Sequence, residues 1–527
     1  MFNLQNFCFQ LQRVRYYLIF LIALWLSLGV PGCSLLPPNS PTSSSLSQQT
    51  TTANNTTPSI PKRFDGITIN VVTQKGVLDY ALNRHIAKFE SLTGAKVNME
   101  AFLFGDLYSK VQKDWSSGTP KYDMAVILSK WLIDFINTND LKDLTNYVQS
   151  DSALQWQDVA PIFRDVSATY KQRIYAIPLD GDFHMVYYRT DLLQKAGLTP
   201  PATWDEYLAI AKQFHGQDLN NDGKPDYGSC MAKGPRFGGY LLFASIASSW
   251  LQSQGTAQGG FFDLETMKPL VQNPAFAKAL DIYKKTMDYG PPNEANLGIL
   301  EERQMFTSGR CALTLEWGDI GTLAINPATS KVIDKVGAVV SPGSTEVLDR
   351  KTGKLVACDK FTCPYSIAGV NHAPFAAFVG WSGVVYAKAA PTVQDAAYSF
   401  LSYMSQPAQA NVDVTIGKTG ANPYRFSQFK TIDSWVNAGM SPDAANNYLG
   451  AIGVSLSSPN MVLDLRIPHN QQYQLEVVDA ILADFLADKL TTEQVMHEIE
   501  QKWEQITNQV GRESQRAAYR ASLGLTP

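Results

Sequence analysis

The chain has 527 residues, enough for two full cores at roughly 100–200 residues per domain, and its 44 basic and 48 acidic side chains leave a formal charge of −4. Lys and Arg are scattered among Asp and Glu with no basic run, which argues against a nucleic-acid partner. Six cysteines and an aromatic content of 11% are the two compositional features that bear most on redox compartment and binding chemistry.

Residues 1–12 carry no acid, Arg13 and Arg15 add positive charge, and 17–30 is nearly all apolar before Val30-Pro31-Gly32-Cys33 closes the segment. This resembles a bacterial lipoprotein signal, with cleavage before Cys33 and acylation of its thiol, since the apolar stretch falls short of the ~20 residues that span a bilayer comfortably. The reading makes 1–32 a signal peptide and moves the mature charge to −6 by removing two arginines. It places the rest of the chain outside the cytoplasm, lipid-anchored and facing the periplasm or cell exterior. The tract 33–63, rich in Ser, Thr, Pro, Asn and Gln, has no hydrophobic period and reads as a disordered leash reaching roughly 30 Å.

Folding is expected from Ile67, where Ile69 and Val71 alternate with Thr68 and Asn70 as in a strand. Helical spacing of Leu78, Leu82, His85 and Phe89 ends at Gly94, a strand follows over 97–101, and a helix over 107–115 leads to the apolar run 122–128 of a strand buried on both faces. Strand and helix alternate, so a mainly parallel sheet is predicted, with ligands at the carboxyl ends of its strands. A crossing between lobes falls near Pro178, followed by a strand over 185–188, helices over 204–214 and 275–287, and a strand over 311–317. A return crossing falls at 339–343, followed by a strand over 384–387, a helix over 392–404 and a helix-rich stretch over 473–510. The predicted organisation is lobe 1 from 64–180 plus 342–405, lobe 2 from 181–341 plus 406–510, and a C-terminal tail over 511–527.

With Cys8 in the signal and Cys33 acylated, Cys230, Cys311, Cys358 and Cys363 remain in an oxidising compartment, where an even set suggests two disulfides. The short separation of Cys358 and Cys363 favours a local clip, which leaves Cys230 to pair with Cys311. A zinc site lacks the C-x-x-C pairs it would need. Asp218, Asn220, Asp222 and Asp226, with Gly223 between them, are spaced like the start of an EF-hand loop; Ser229 stands where the bidentate Glu belongs. Structural calcium is the one cofactor this suggests, and an Asx-rich turn is the alternative.

Several separated motifs resemble, in order, the extracellular solute-binding protein family 1, the maltose-binding-like receptors of ABC importers. They are Phe89-Glu90-Ser91-Leu92-Thr93-Gly94, Tyr122-Asp123 running to Ser129-Lys130-Trp131, Tyr175-Ala176-Ile177-Pro178 through Tyr187-Tyr188-Arg189-Thr190-Asp191-Leu192, and Thr203-Trp204-Asp205-Glu206. Phe306 to Trp317, Gly380-Trp381 and Arg466-Ile467-Pro468 before Tyr473 complete the series. The region 345–372 looks like an insertion. The resemblance implies an α/β, two-lobed periplasmic-binding-protein fold of type II with an interlobe hinge. It further implies a monomer that captures a small carbohydrate or polyol and delivers it to permease subunits in the membrane.

Sugars present hydroxyls at ring edges and C–H patches on ring faces, so their sites need flat aromatics with carboxylates and amides nearby. The candidate solute-binding set is therefore Gln74, Ser129, Trp131, Asp182, Phe237, Tyr240, Trp317, Gly380, Trp381, Asn422, Arg466 and Tyr473. For Arg425 and Arg466 a salt bridge is the simpler expectation. A hydrolase using Asp180 and Asp182 is the alternative from another class, although no G-x-S-x-G, H-E-x-x-H or spaced histidines support catalysis.

Overall fold

A computed structural model describes residues 63–526 apart from 77, 236, 237 and 418. The predicted signal, Cys33, the tract 34–62 and Phe237 lie outside the described residues.

Strand β1 (Thr68–Gln74) is followed by helix Leu78–Thr93, β2 (Lys96–Phe102), helix Phe104–Trp115 and β3 (Met124–Leu128), whose five residues are all buried as their unbroken apolar run requires. The chain then reaches β4 (Ile177–Pro178), crosses to β5 (Met185–Arg189), and forms helix Trp204–Phe214, which Thr203 and Glu206 start with a reciprocal capping box. Next come β6 (Tyr227–Cys230), β7 (Cys311–Glu316) and β8 (Val336–Val340), and the chain returns as β9 (Trp381–Val385).

Two sheets result, in the orders β2-β1-β3-β9-β4 and β8-β5-β7-β6. β1 is parallel to β2 and β3, but β9 is antiparallel to β3 and β4; in the second sheet β5 is antiparallel to β7 and β8. The sheets are thus mainly parallel, as predicted, with one reversed strand each. The reason is topological: β5 and β9 are the strands that arrive directly from the other sheet. They start at the edge where their neighbours end, and so run the opposite way. Met185 pairs with Glu316 and Trp381 with Leu128, which places the first residue of β5 beside the carboxyl end of β7 and that of β9 beside the carboxyl end of β3.

The strand predicted at 384–387 therefore begins earlier, at Trp381, because the left-handed turn before it sets the pairing. Helix Pro391–Ser405 packs on the first sheet, and helix Pro442–Leu456 on β8. Asp413, in helix Pro407–Asp413, meets His85 at 2.9 Å and also Arg84, both in the helix after β1. The insertion over 345–372 holds an antiparallel hairpin of Glu346–Asp349 with Lys354–Ala357. The C-terminal stretch 511–527 carries helix Arg512–Ser522, and the hydroxyl of its buried Tyr519 accepts a hydrogen bond from the Phe261 amide at 3.1 Å. Cys230 is bonded to Cys311 and Cys358 to Cys363, with Cα separations of 5.9 and 5.3 Å. Among the described residues no helix is long and apolar enough to cross a membrane.

Candidate functional site

Where the chain re-enters the first sheet, Phe378, Val379 and Gly380 take φ values of 69°, 58° and 80° in succession. Such a conformation is costly for Phe and for β-branched Val, and it persists only where the surroundings over-determine it. Here they do: Ser129 Oγ donates to the Phe378 carbonyl and Ser167 Oγ to that of Val379, each at 3.0 Å, while the Phe378 amide donates to Asp464 at 3.2 Å. Gly380 is obligatory, since a Cβ there would collide with the Asp180 carbonyl oxygen. The turn sets Phe378 and Trp381 side by side at the edge shared by both sheets.

A cavity of about 420 Å³ opens at that edge. From the first sheet it is lined by Gln74 at the end of β1, Phe104 after β2 and Trp381 at the start of β9; Asp182, Trp317 and Asp319 line it from the second. A larger, more open space of about 790 Å³ continues it past Leu300, Arg303 and Gly420. The rings form a connected wall. Trp317 stacks on Phe378 at 5.4 Å and 16°, Phe378 lies 5.5 Å from Phe104, and Trp381 meets Phe104 edge-on at 6.3 Å. Trp317 and Trp381 are only 5% and 3% exposed, so each presents a rim to the cavity, rather than the open face expected for stacking. The His184 ring, 4.3 Å from Trp317 and hydrogen-bonded to Ser245 at 2.7 Å, props that indole from behind. Burial lowers His184 to about 3, so it stays neutral.

The floor is acidic. Asp182 and Asp180 hydrogen-bond each other, Asp180 also accepts the Asn422 amide at 2.6 Å, and the Asn422 carboxamide donates to Asp182 at 3.1 Å and Asp319 at 3.3 Å. Arg303 lies 2.9 Å from Asp319 and 3.0 Å from Glu316. Burial raises Asp180 and Asp182 above the carboxylate range; their mutual interaction raises Asp182 further, as the partner that holds the shared proton.

The cavity brings together Gln74, Asp182, Trp317 and Trp381 of the predicted set, with Gly380 and Asn422 supporting it from behind. The remaining candidates sit elsewhere. Trp131 is fully buried behind Trp381 at 6.1 Å, and Ser129 holds the turn described above. Tyr240 accepts a hydrogen bond from the buried ammonium of Lys130, which also reaches Gln474 at 3.2 Å and Asp464 at 3.5 Å; Tyr240 lines a separate apolar cavity of about 40 Å³. Tyr473 is buried among the C-terminal helices with its hydroxyl 2.9 Å from Thr507. Among the described residues Arg466 forms no salt bridge and bonds the Val166 and Ser167 carbonyls, whereas Arg425 pairs with Asp158 at 3.1 Å as expected. These polar groups serve packed junctions, because burial removes water as their alternative partner.

In the EF-hand-like stretch the oxygens cap their own turn. Asp218 accepts the Asp222 and Gly223 amides at 3.1 and 2.8 Å, Asn220 accepts Asp222 at 3.0 Å, and Asp226 accepts Leu219 at 2.9 Å and Arg310 at 3.0 Å. This is the Asx-rich turn, and among the described residues no three His, Cys, Asp or Glu side chains are grouped to hold a metal ion.

Sequence reasoning missed Phe104, Arg303, Asp319 and Phe378. Phe104 and Asp319 follow the carboxyl ends of β2 and β7, so the strand-end rule applied at every strand would have found them. Arg303 sits on helix Ile299–Thr307, which no motif announced.

Residues 85–424 match the model of the bacterial extracellular solute-binding protein family, and the chain belongs to that family. The mannitol-binding protein of Pseudomonas aeruginosa is 30% identical over 197 residues, covering 37% of this chain and 42% of that protein. The chain spans about half the length of the curated relatives it matches. Among solved structures, a solute-binding protein of an ABC transporter from Agrobacterium radiobacter K84, in complex with ribitol, aligns with a TM-score of 0.67 at 21% identity, covering 84% of this chain and 100% of that one. Maltose-bound MalE3 of T. maritima aligns at 0.65 and 19% identity, with coverages of 84% and 100%. The fold is the two-lobed α/β fold of the maltose-binding-like receptors.

Proposed function

We propose that this chain is the solute-capturing component of an ABC importer, exported and anchored through an acylated Cys33. It would take a sugar, glycoside or polyol into the cleft between its two sheets and pass it to a membrane permease. The observation that carries this reading is the cavity itself, where aromatic rims from both sheets, Trp317 and Trp381, share one space with the carboxyl of Asp182 and the carboxamide of Gln74. Rings supply contact for C–H patches, and the polar groups supply partners for hydroxyls. The mannitol-, ribitol- and maltose-binding relatives support the choice of solute class.

Hydrolysis is disfavoured by geometry. Asp180 and Asp182 hydrogen-bond each other, whereas carboxylates that flank a glycosidic bond stand about 5–9.5 Å apart.

Calorimetric titration of the full chain against sugars and polyols tests the reading. A saturable solute is expected, bound at least tenfold more weakly by Trp317→Ala and by Trp381→Ala, with folding retained and no product formed. Unchanged affinity in both variants removes the site assignment.

A further inference from the structure

The floor of the cleft carries more negative charge than its own cations match. Asp182 and Asp319 line the cavity, 5% and 9% exposed, with Asp180, Glu316 and Glu302 fully enclosed behind them. One guanidinium faces these five acids. Arg303 is already engaged by Asp319 at 2.9 Å and Glu316 at 3.0 Å. Asn422, which bridges Asp182 and Asp319, contributes no charge. With Asp180 and Asp182 sharing one proton, Glu302 holding another and burial raising Glu316 to about 7, between two and three carboxylate charges still face a single cation at neutral pH. Among the described residues the only other cation lining the space, Lys75, is solvent-exposed and offset by the equally exposed Glu301.

A second observation points to a ligand independently. Gln74 is 6% exposed and lines the same cavity from the opposite sheet, yet its carboxamide has no hydrogen-bond partner among the described residues. The side chain is largely enclosed, and its polar end opens onto the space where a solute would sit, free to bond one.

We propose that the preferred solute brings the missing positive charge: a hydroxylated molecule bearing a protonated amine, its ammonium group against Asp182 and Asp319 and its hydroxyls toward Gln74. This rests on the reading of the cleft as a site for hydroxylated solutes and narrows it to amino sugars and aminated polyols. Anionic members of the class, such as uronates and phosphate esters, are disfavoured by the same charge.

The test is a calorimetric titration of the full chain at neutral pH with two matched series. One is glucamine, sorbitol and gluconate; the other is 6-amino-6-deoxyglucose, glucose and glucuronate. Each series changes a single carbon from aminomethyl to hydroxymethyl to carboxylate. In the series that binds, the ammonium member is expected to bind at least tenfold more tightly than the neutral one, and the anion more weakly than either. Asp319→Asn should narrow the ammonium-to-neutral ratio, and Asp182→Asn, which replaces a carboxyl that already holds the shared proton, should narrow it less. A neutral member binding as tightly as its amine, or a ratio unchanged by both substitutions, overturns the inference and leaves the hydroxylated-solute reading in place. Binding of no member of either series overturns both.

Discussion

Glu302 shows how burial decides a single residue's chemistry. Its side chain is enclosed between Thr314, whose hydroxyl bonds one carboxyl oxygen, and the neighbouring charge of Glu316. Burial, then repulsion from Glu316, raises it well above its ordinary value of 4.5. The folded chain therefore holds a proton that the unfolded chain gives up, so this group's contribution to stability is complete below about pH 4.5 and is lost as pH rises toward the folded value. The loss runs at about 1.4 kcal/mol per pH unit while the pH lies between the two values. Glu302→Gln keeps the shape and has no proton to lose. Its melting temperature, followed by thermal denaturation, should match the parent near pH 4 and fall less steeply from pH 5 to 7. Identical slopes would mean that Glu302 is ionised in the folded protein.

At the scale of elements, the Cys230–Cys311 disulfide joins β6 to β7 across a sequence separation of 81, whereas Cys358–Cys363 closes a separation of 5 within the insertion. Loop-closure entropy assigns about 4.5 kcal/mol to the first and about 2 kcal/mol to the second. Denaturant unfolding should therefore show a larger loss for Cys230→Ser with Cys311→Ser than for the Cys358→Ser and Cys363→Ser pair. The turn over 218–226 makes a contrasting case. Because its oxygens already accept backbone amides, a chelator should leave the melting temperature unchanged, and a drop of several degrees would restore calcium to the loop.

These elements also show what could be read in advance. Continuous apolar runs and capping residues marked β3 and helix Trp204–Phe214, because burial on both faces and a satisfied helix start leave local signatures. Trp317, Trp381, Asp182 and Gln74 were legible for a related reason: each borders a strand end, where loops diverge and side chains reach a cleft. Trp131, Tyr240 and Tyr473 were misread because an aromatic beside a strand or helix end looks alike whether a second layer covers it or not. That layer here comes from residues far along the chain, Lys130 meeting Asp464 and Gln474 and Tyr473 meeting Thr507. Reversal of β5 and β9 leaves no local trace, since strand direction depends on which sheet the chain has just left.

For the molecule as a whole, the cleft has two unsatisfied lips. Leu103, just after β2, is 64% exposed and Leu300, on helix Ile299–Thr307, is 70% exposed; both line the cavity, from different sheets. Large apolar side chains left in water at a binding edge favour whatever removes them, and domain closure over a solute would do so. A ligand shifts such an equilibrium only through contacts it makes better in one state than the other, and a solute touching both sheets meets that condition. Burying the two leucines would supply about 2 kcal/mol in all, equivalent to a roughly thirtyfold change in Kd. Leu103→Ser with Leu300→Ser should therefore weaken solute binding by about that factor while leaving the melting temperature of the solute-free protein nearly unchanged, since neither side chain is packed there. Small-angle scattering should show the parent's radius of gyration falling on saturation with solute, and the double variant should need proportionately more solute for the same contraction. Equal affinities and superimposable scattering titrations would mean that the lips stay in water throughout, leaving the acidic floor and the aromatic wall to hold the solute unaided.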